Sequence, residues 1–276
     1  MRGLSPLQRA QHGFTLIELV MVMTILGVIG AVVAVFMKGP IDAYFDTVRR
    51  AALTDAADTA MRRISRDLHR ALPNSVRSPN AQCLEFIPTK TGGRYRTEDL
   101  VSGDGTGLDF TAADSSFNML GDHTILPADQ RLTGGDVVVV YNLGIPGADA
   151  YAQENTARIS GASVAGGETS IAIASTLFPL RSGSNRFQVV PAAEKVVAYV
   201  CSGGALRRTV SSSFYAAGSA SSCATTGAVL ANNVDCSFDY SGSDLQRNAL
   251  VRMTLQITDK AEGVNMYGEV HVNNTP

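Results

Sequence analysis

The sequence predicts an α+β protein: one long N-terminal helix, membrane-spanning in its first half and amphipathic in its second, packed on a mainly antiparallel β-sheet C-terminal domain. Three observations predict it. Phe14 to Met37 is a run of 24 residues with a single charge, Glu18. An apolar period of three or four residues then continues to Leu72. Beyond Pro73 the pattern changes to period two and to short apolar runs between Gly, Ser and Asn clusters.

The composition narrows the class. The chain has 276 residues, 45% hydrophobic and 17% charged, with 26 Gly and no Trp. That is enough apolar chain to bury a core and argues against disorder. A formal charge of −2 gives no bulk attraction to nucleic acid or anionic lipid. Four Cys is an even number and suits an oxidising compartment.

As a helix, the run Phe14–Met37 reaches ~36 Å at ~1.5 Å per residue, against a ~30 Å hydrocarbon core. Residues 1–13 form a short polar leader with Arg2 and Arg9. Arginines on the short flank hold that end in the cytoplasm and leave the bulk of the chain outside. A plain anchor satisfies the hydropathy. A secretory signal peptide also fits, with Val32-Val33-Ala34 as a passable cleavage site. Both leave Glu18 unexplained, because a carboxylate in an apolar helix costs up to ~3 kcal/mol at the bilayer centre without a partner.

Gly13-Phe14-Thr15-Leu16-Ile17-Glu18 resembles the type IV prepilin signal. The resemblance implies that a membrane prepilin peptidase cuts between Gly13 and Phe14 and N-methylates Phe14. Glu18 of one subunit then pairs with the Phe14 ammonium of a neighbour in the filament core. Removing residues 1–13 takes away two Arg and lowers the formal charge from −2 to −4. Gly27, Gly30, Ala31 and Ala34 are small enough for neighbouring helices to approach closely, or are ordinary helix residues.

Gly39-Pro40 predicts a kink or local melting. From Ile41 the helical pattern resumes, with Phe45, Val48, Ala52, Ala56, Ala60, Ile64, Leu68 and Leu72 on one stripe. Asp46 with Arg50, and Asp58 with Arg62, are acid-first i,i+4 pairs. Arg62, Arg63, Arg66 and Arg70 form a basic face, either solvated or set against acidic surface on the next subunit. The amphipathic part is therefore expected over residues 38–72, and an exported β-rich domain over 73–276.

Strands are expected at Cys83–Pro88, Asp136–Asn142, Thr169–Ala174, Arg186–Val190, Lys195–Cys201, Leu206–Val210, Val234–Tyr240, Ala249–Thr258 and Val264–Val272. Ser202-Gly203-Gly204 and Ser241-Gly242-Ser243 read as hairpin turns. Residues 94–133 and 211–227 read as surface excursions.

Further residues extend the resemblance. Asp136 to Gly144, Gly147 to Tyr151, Gly92 to Arg96 and the terminal His271 to Pro276 look like the minor pilin O component of mannose-sensitive haemagglutinin (MSHA) type pili. The layout is also similar to the J-type minor pseudopilins of type II secretion. The resemblance implies a low-copy subunit that initiates a type IV pilus at or near its tip. Its partners are then the prepilin peptidase, other minor and major pilins, the inner-membrane assembly platform and the membrane itself, with no nucleic acid and no small-molecule substrate. It implies a single-pass inner-membrane protein with a periplasmic C-terminal domain that later enters the filament.

No catalytic, cofactor or metal motif is legible. His12, His69, His123 and His271 are scattered, and no P-loop, Gly-x-Ser-x-Gly or His-Glu-x-x-His occurs. An exported adhesin is the rival reading, with Tyr141 to Tyr151 as its site. Ser102 to Asp109 resembles a calcium loop through Asp104 and Asp109, but lacks the bidentate Glu. Cys83, Cys201, Cys223 and Cys236 allow three connectivities, and spacing does not choose. The resemblance favours Cys201–Cys236, with Cys83 and Cys223 free or paired.

Overall fold

A computed structural model describes residues 13–240, 248–260 and 262–276. The leader residues 1–12, His12 among them, and the turn Ser241-Gly242-Ser243 lie outside the described residues. The chain divides into two units, Met1–Ala51 and Ala52–Pro276.

Helix α1 runs over Leu16–Leu68. In the first unit its apolar side chains, from Leu16 to Met37, are exposed. The helical assignment continues through Pro40, so the local melting expected at Gly39-Pro40 is not seen. Asp46 pairs with Arg49 at 3.2 Å, an i,i+3 contact, and Asp58 pairs with Arg62 at 2.7 Å in the expected i,i+4 spacing. In the second unit the buried face is Ala57, Ala60, Met61, Ile64 and Leu68. Of the expected stripe, Phe45, Val48 and Ala52 are exposed, while Ala56 packs on the core together with Leu53, which the spacing did not include.

The helix stops at Leu68, four residues short of Leu72. Two tight turns, Arg70 N–H to Asp67 O and Ala71 N–H to Leu68 O, close it. Leu72 N–H then donates to Ile87 O at 2.8 Å, and Thr89 N–H to Arg70 O at 2.8 Å. The chain leaves the helix because a strand segment offers these groups better partners.

Fourteen strands follow among the described residues, and every described pairing is antiparallel. They are β1 (Arg77–Asn80), β2 (Cys83–Phe86), β3 (Thr91–Arg94), β4 (Asp114–Met119), β5 (Val137–Val140), β6 (Thr156–Ala165) and β7 (Glu168–Thr176). Then come β8 (Arg186–Val190), β9 (Val196–Ser202), β10 (Ala205–Ser211), β11 (Ala228–Asn232), β12 (Val234–Tyr240), β13 (Asn248–Asp259) and β14 (Glu262–Asn273). Two 3-10 turns sit at His123–Ile125 and Ala128–Gln130. The strand orders are β1-β2-β9-β10-β11, β12-β13-β14 and β3-β8-β5-β6-β7-β4. The architecture is thus the expected one: a long N-terminal helix with its second half packed on mainly antiparallel sheet.

Alternation explains the layers. On β9, Val197 and Tyr199 join the core under the helix, while Ala198 and Val200 face Cys83. That core also takes Phe86, Leu206, Phe238, Val251, Met253 and Val270. All four valines of β5 are buried: Val138 and Val140 enter the cluster of Phe117, Phe178 and Phe187, and Val137 and Val139 meet Leu72, Ile87 and Tyr151. A strand buried on both faces reads as an unbroken apolar run. Gly203 and Gly204, with φ of 59° and 71°, make the two-residue turn between β9 and β10.

Residues 94–133 are not a surface excursion. Tyr95, Leu108, Phe117, Met119 and Leu132 are buried in that cluster, and β4 pairs with β7.

Candidate functional site

The site with the clearest chemistry is the start of the helix. Gly13, Phe14 and Thr15 are not helical, and Phe14 is 81% exposed. The Gly13–Phe14 peptide bond therefore lies outside the hydrogen-bonded helix, one residue before its cap. Thr15 supplies that cap: its Oγ1 accepts the Glu18 N–H at 3.3 Å, and its carbonyl accepts the Leu19 N–H at 3.1 Å. Thr15-x-x-Glu18 has the spacing of a capping box, and an acidic side chain in the first turn complements the helix dipole. Glu18 thus stands at the acidic position of the first turn of its own helix.

The cysteines stand in the second unit as two pairs at disulfide distance. Cys83 and Cys223 have Cα atoms 5.7 Å apart, and Cys201 and Cys236 have theirs 6.0 Å apart. Cys83, Glu85 and Cys223 bring three ligand-type atoms within 4.8 Å of one another. The two sulfurs are bonded to each other, and Glu85 is already engaged. Its carboxylate is 0% exposed, ion-paired with Arg77 and within 3.1 Å of the donating Ser222 Oγ. Arg77 also lies 3.5 Å from the centroid of Tyr151 and donates to Tyr215 O at 3.0 Å. The cluster clamps the 211–227 tract over β2. Sequence spacing gave no sign of it, because its members come from β1, β2 and two distant loops.

The other sequence candidates fall in structural roles. Tyr151 is buried and donates its hydroxyl to Ser75 O at 2.9 Å. Asn142 ties the same loop down, donating to Pro73 O at 2.7 Å and accepting from Ala150 N–H at 2.9 Å. Tyr141 packs against the Phe117 cluster. The Tyr141–Tyr151 loop is thereby knitted into the fold and presents no free aromatic platform. Asp149 in that loop is raised above the usual carboxylate range by burial.

Asp104 accepts from Thr106 Oγ1 at 2.7 Å, from Thr106 N–H and from Val101 N–H, and Asp109 accepts from Thr111 N–H and Oγ1 at 2.7 Å. Each carboxylate makes its own turn, and these bonds lower both pKa values. His123 is buried, with Nδ1 accepting from Leu132 N–H at 3.2 Å, while His69, in the turn after α1, and His271, on β14, are exposed. No histidine is placed beside a nucleophile among the described contacts.

The family description "Prokaryotic N-terminal methylation motif" matches residues 8–34. The matched stretch contains Gly13, Phe14, Thr15 and Glu18 and most of the exposed apolar helix. The chain thus carries an N-terminal prepilin-like methylation motif, consistent with the type IV pilin and pseudopilin superfamily. No curated protein and no solved structure matches the chain.

Proposed function

We propose that this chain is a minor pilin-like subunit, cleaved after Gly13 by prepilin peptidase, N-methylated on Phe14, and built into a type IV pilus of the MSHA kind, where it starts assembly at or near the tip. One observation carries the reading: an accessible, non-helical Gly13–Phe14 bond sits one residue ahead of a capped helix whose apolar side chains from Leu16 to Met37 are exposed. That helix has the length and hydropathy of a membrane span. In the bilayer, lipid covers the apolar surface; in a filament, the helices of neighbouring subunits do.

Cleavage creates an ammonium at Phe14, four residues ahead of Glu18. In a filament core the Glu18 carboxylate of one subunit and the Phe14 ammonium of the next neutralise each other only at one axial stagger, so the pair sets register as well as attraction. The β domain then stays outside the membrane on the far side from Arg2 and Arg9.

Mass spectrometry of the protein from cells with active prepilin peptidase tests the reading. The mature chain is expected to begin at N-methyl-Phe14; a start at Met1 or after Ala34 overturns it. The MSHA-type reading draws on the segments 92–96, 136–144, 147–151 and 271–276, and the J-type pseudopilus alternative on the overall layout. Complementation of minor-subunit deletions in each system decides between them: restored pili support the first, and restored exoprotein secretion supports the second.

A further inference from the structure

Strand β14 is a long, undefended edge. It pairs with β13 over its whole length, from Asp259↔Glu262 to Asn248↔Asn273, without a register shift. It stands last in its sheet. The alternation of an antiparallel pair, counted from the turn-closing pair Asp259↔Glu262, directs the even-numbered residues of β14 toward β13. The N–H and C=O groups of Asn265, Tyr267, Glu269 and His271 then point away from the sheet. Among the described residues no backbone group bonds to them from that side.

The remaining edges are treated differently. β1 is four residues long, with a bulge and Pro79; β4 and β11 are short and irregular; β3 has four residues. The outer side of β12 is met by Phe238 N–H donating to Ala81 O and Val234 N–H to Gly204 O. β14 has twelve residues and neither Pro, Lys nor bulge. A regular edge of this length, without Pro, Lys or bulge, can pair with another strand.

Beside the edge runs a groove of about 540 Å³. Its lining includes the apolar side chains of Met61, Met253 and Val270. At Gly268 the Met61 methyl packs where a β-carbon would stand. Arg62 and Arg66 on α1, and Arg70 in the turn that closes it, stand along the groove. Arg62 is paired with Asp58 at 2.7 Å. Arg66 and Arg70 are exposed and enter no ion pair among the described residues.

Open backbone, an apolar trough and two unmatched guanidinium groups converge on one kind of occupant. We infer that the free edge of β14 takes up an extended segment of a neighbouring subunit, whose inward side chains alternate between an apolar group over Met61 and Val270 and a carboxylate facing Arg66 and Arg70. Main-chain bonds to β14 supply attraction, and the groove and arginines select the sequence. The inference rests on the filament reading, which supplies the neighbour.

The test is amide hydrogen exchange on the full-length chain, first as a detergent-solubilised monomer and then in filaments assembled with its partner pilins. Assembly is expected to slow exchange at Asn265, Tyr267, Glu269 and His271 by ~10-fold or more, with the even-numbered amides protected in both states. The Arg66→Glu/Arg70→Glu chain, in which no intramolecular ion pair is lost, is expected to show weaker protection at the same four amides. Equal exchange at those amides in monomer and filament overturns the inference while leaving the filament reading intact. Protection by anionic lipid vesicles alone assigns the arginines to a membrane surface and also overturns it. A chain that enters no filament removes the filament reading, and the inference with it.

Discussion

Asp67, in the last turn of the helix, holds Arg208 of β10 by a 2.9 Å contact from Nε to Oδ2. The Tyr199 hydroxyl donates to the same oxygen at 2.7 Å, and Arg208 reaches on to Glu194 at 3.2 Å. One carboxylate therefore fastens the helix end to two neighbouring strands. Arg208 and Asp67 side chains are mostly shielded, at 13% and 17% exposure, so water does little to screen them.

Asp67→Ala is expected to cost roughly 2–4 kcal/mol, the lower part of the range because Arg208 keeps Glu194 while the Tyr199 hydroxyl loses its acceptor. Glu194→Ala, at a carboxylate 40% exposed, is expected to cost no more than about 1 kcal/mol. Chemical denaturation of the full-length chain in detergent checks the order; equal costs for the two substitutions would contradict the shared-oxygen account.

The two cysteine pairs differ in the chain they enclose, with separations of 140 residues for Cys83–Cys223 and 35 for Cys201–Cys236. Disulfides typically stabilise by ~2–5 kcal/mol, and the logarithmic loop term makes the longer one worth about 1 kcal/mol more. Replacing Cys83 and Cys223 together by Ser is therefore expected to lower stability more than replacing Cys201 and Cys236. Thiol counting on exported, denatured, unreduced protein is expected to find none free; four free thiols would remove the basis of the comparison.

The helix and most strands were legible because burial imposes a period on them. β8 and β12 fall on the expected Arg186–Val190 and Val234–Tyr240; β12 is a clean alternation, and β8 alternates up to its two closing buried valines. β6 was missed because its register shifts between Ile159 and Gly161, which breaks the alternation, and its last residues are exposed on both faces. β4, Asp-Ser-Ser-Phe-Asn-Met, buries only Phe117 and Met119 and otherwise looks like a loop. At the helix start, Gly13, Phe14 and Glu18 stood out by residue type, whereas the cap made by Thr15 shows only when the first helical residue is fixed. The Arg77–Glu85–Tyr215 clamp and the β14 groove depend on residues far apart in the chain, and no local pattern announces them.

Burial and the nearby Glu85 carboxylate push Tyr215 up to about 12. Burial also raises Tyr151 and Tyr199, the latter helped by Asp67. An unfolded tyrosine titrates near ~10, so between about pH 10 and 12 the folded chain holds protons that the unfolded chain releases. The stabilisation from these groups is complete below ~10 and is lost as pH rises through the folded values. Tyrosinate absorbance during alkaline titration is expected to show a late group that ionises together with unfolding, and Glu85→Gln is expected to bring Tyr215 down. All tyrosines titrating near ~10 with the fold intact would contradict this.

Glu18 has two candidate duties that one substitution separates. As the third helical residue after the Thr15 cap it stands at the acidic position of a capping box, which Gln fills as well as Glu. As the partner of a neighbour's Phe14 ammonium it must carry charge. Losing a cap costs ~1 kcal/mol, and removing one partner of a buried ion pair costs ~3–5 kcal/mol. Glu18→Val removes both duties, and Glu18→Gln removes only the charge. Thr15→Ala weakens the cap and keeps the charge. Cleavage, read by mass spectrometry, is expected to survive all three, because the scissile bond lies outside the helix. Crosslinking to partner subunits and the number of surface filaments are expected to fall together in Glu18→Val and Glu18→Gln, and to stay near normal in Thr15→Ala. A Glu18→Gln strain that assembles normally beside a defective Glu18→Val strain would assign the residue to the cap. Normal assembly in both would place this subunit where no neighbour stands above it, as at a filament tip, with Glu18 free of any intersubunit pair.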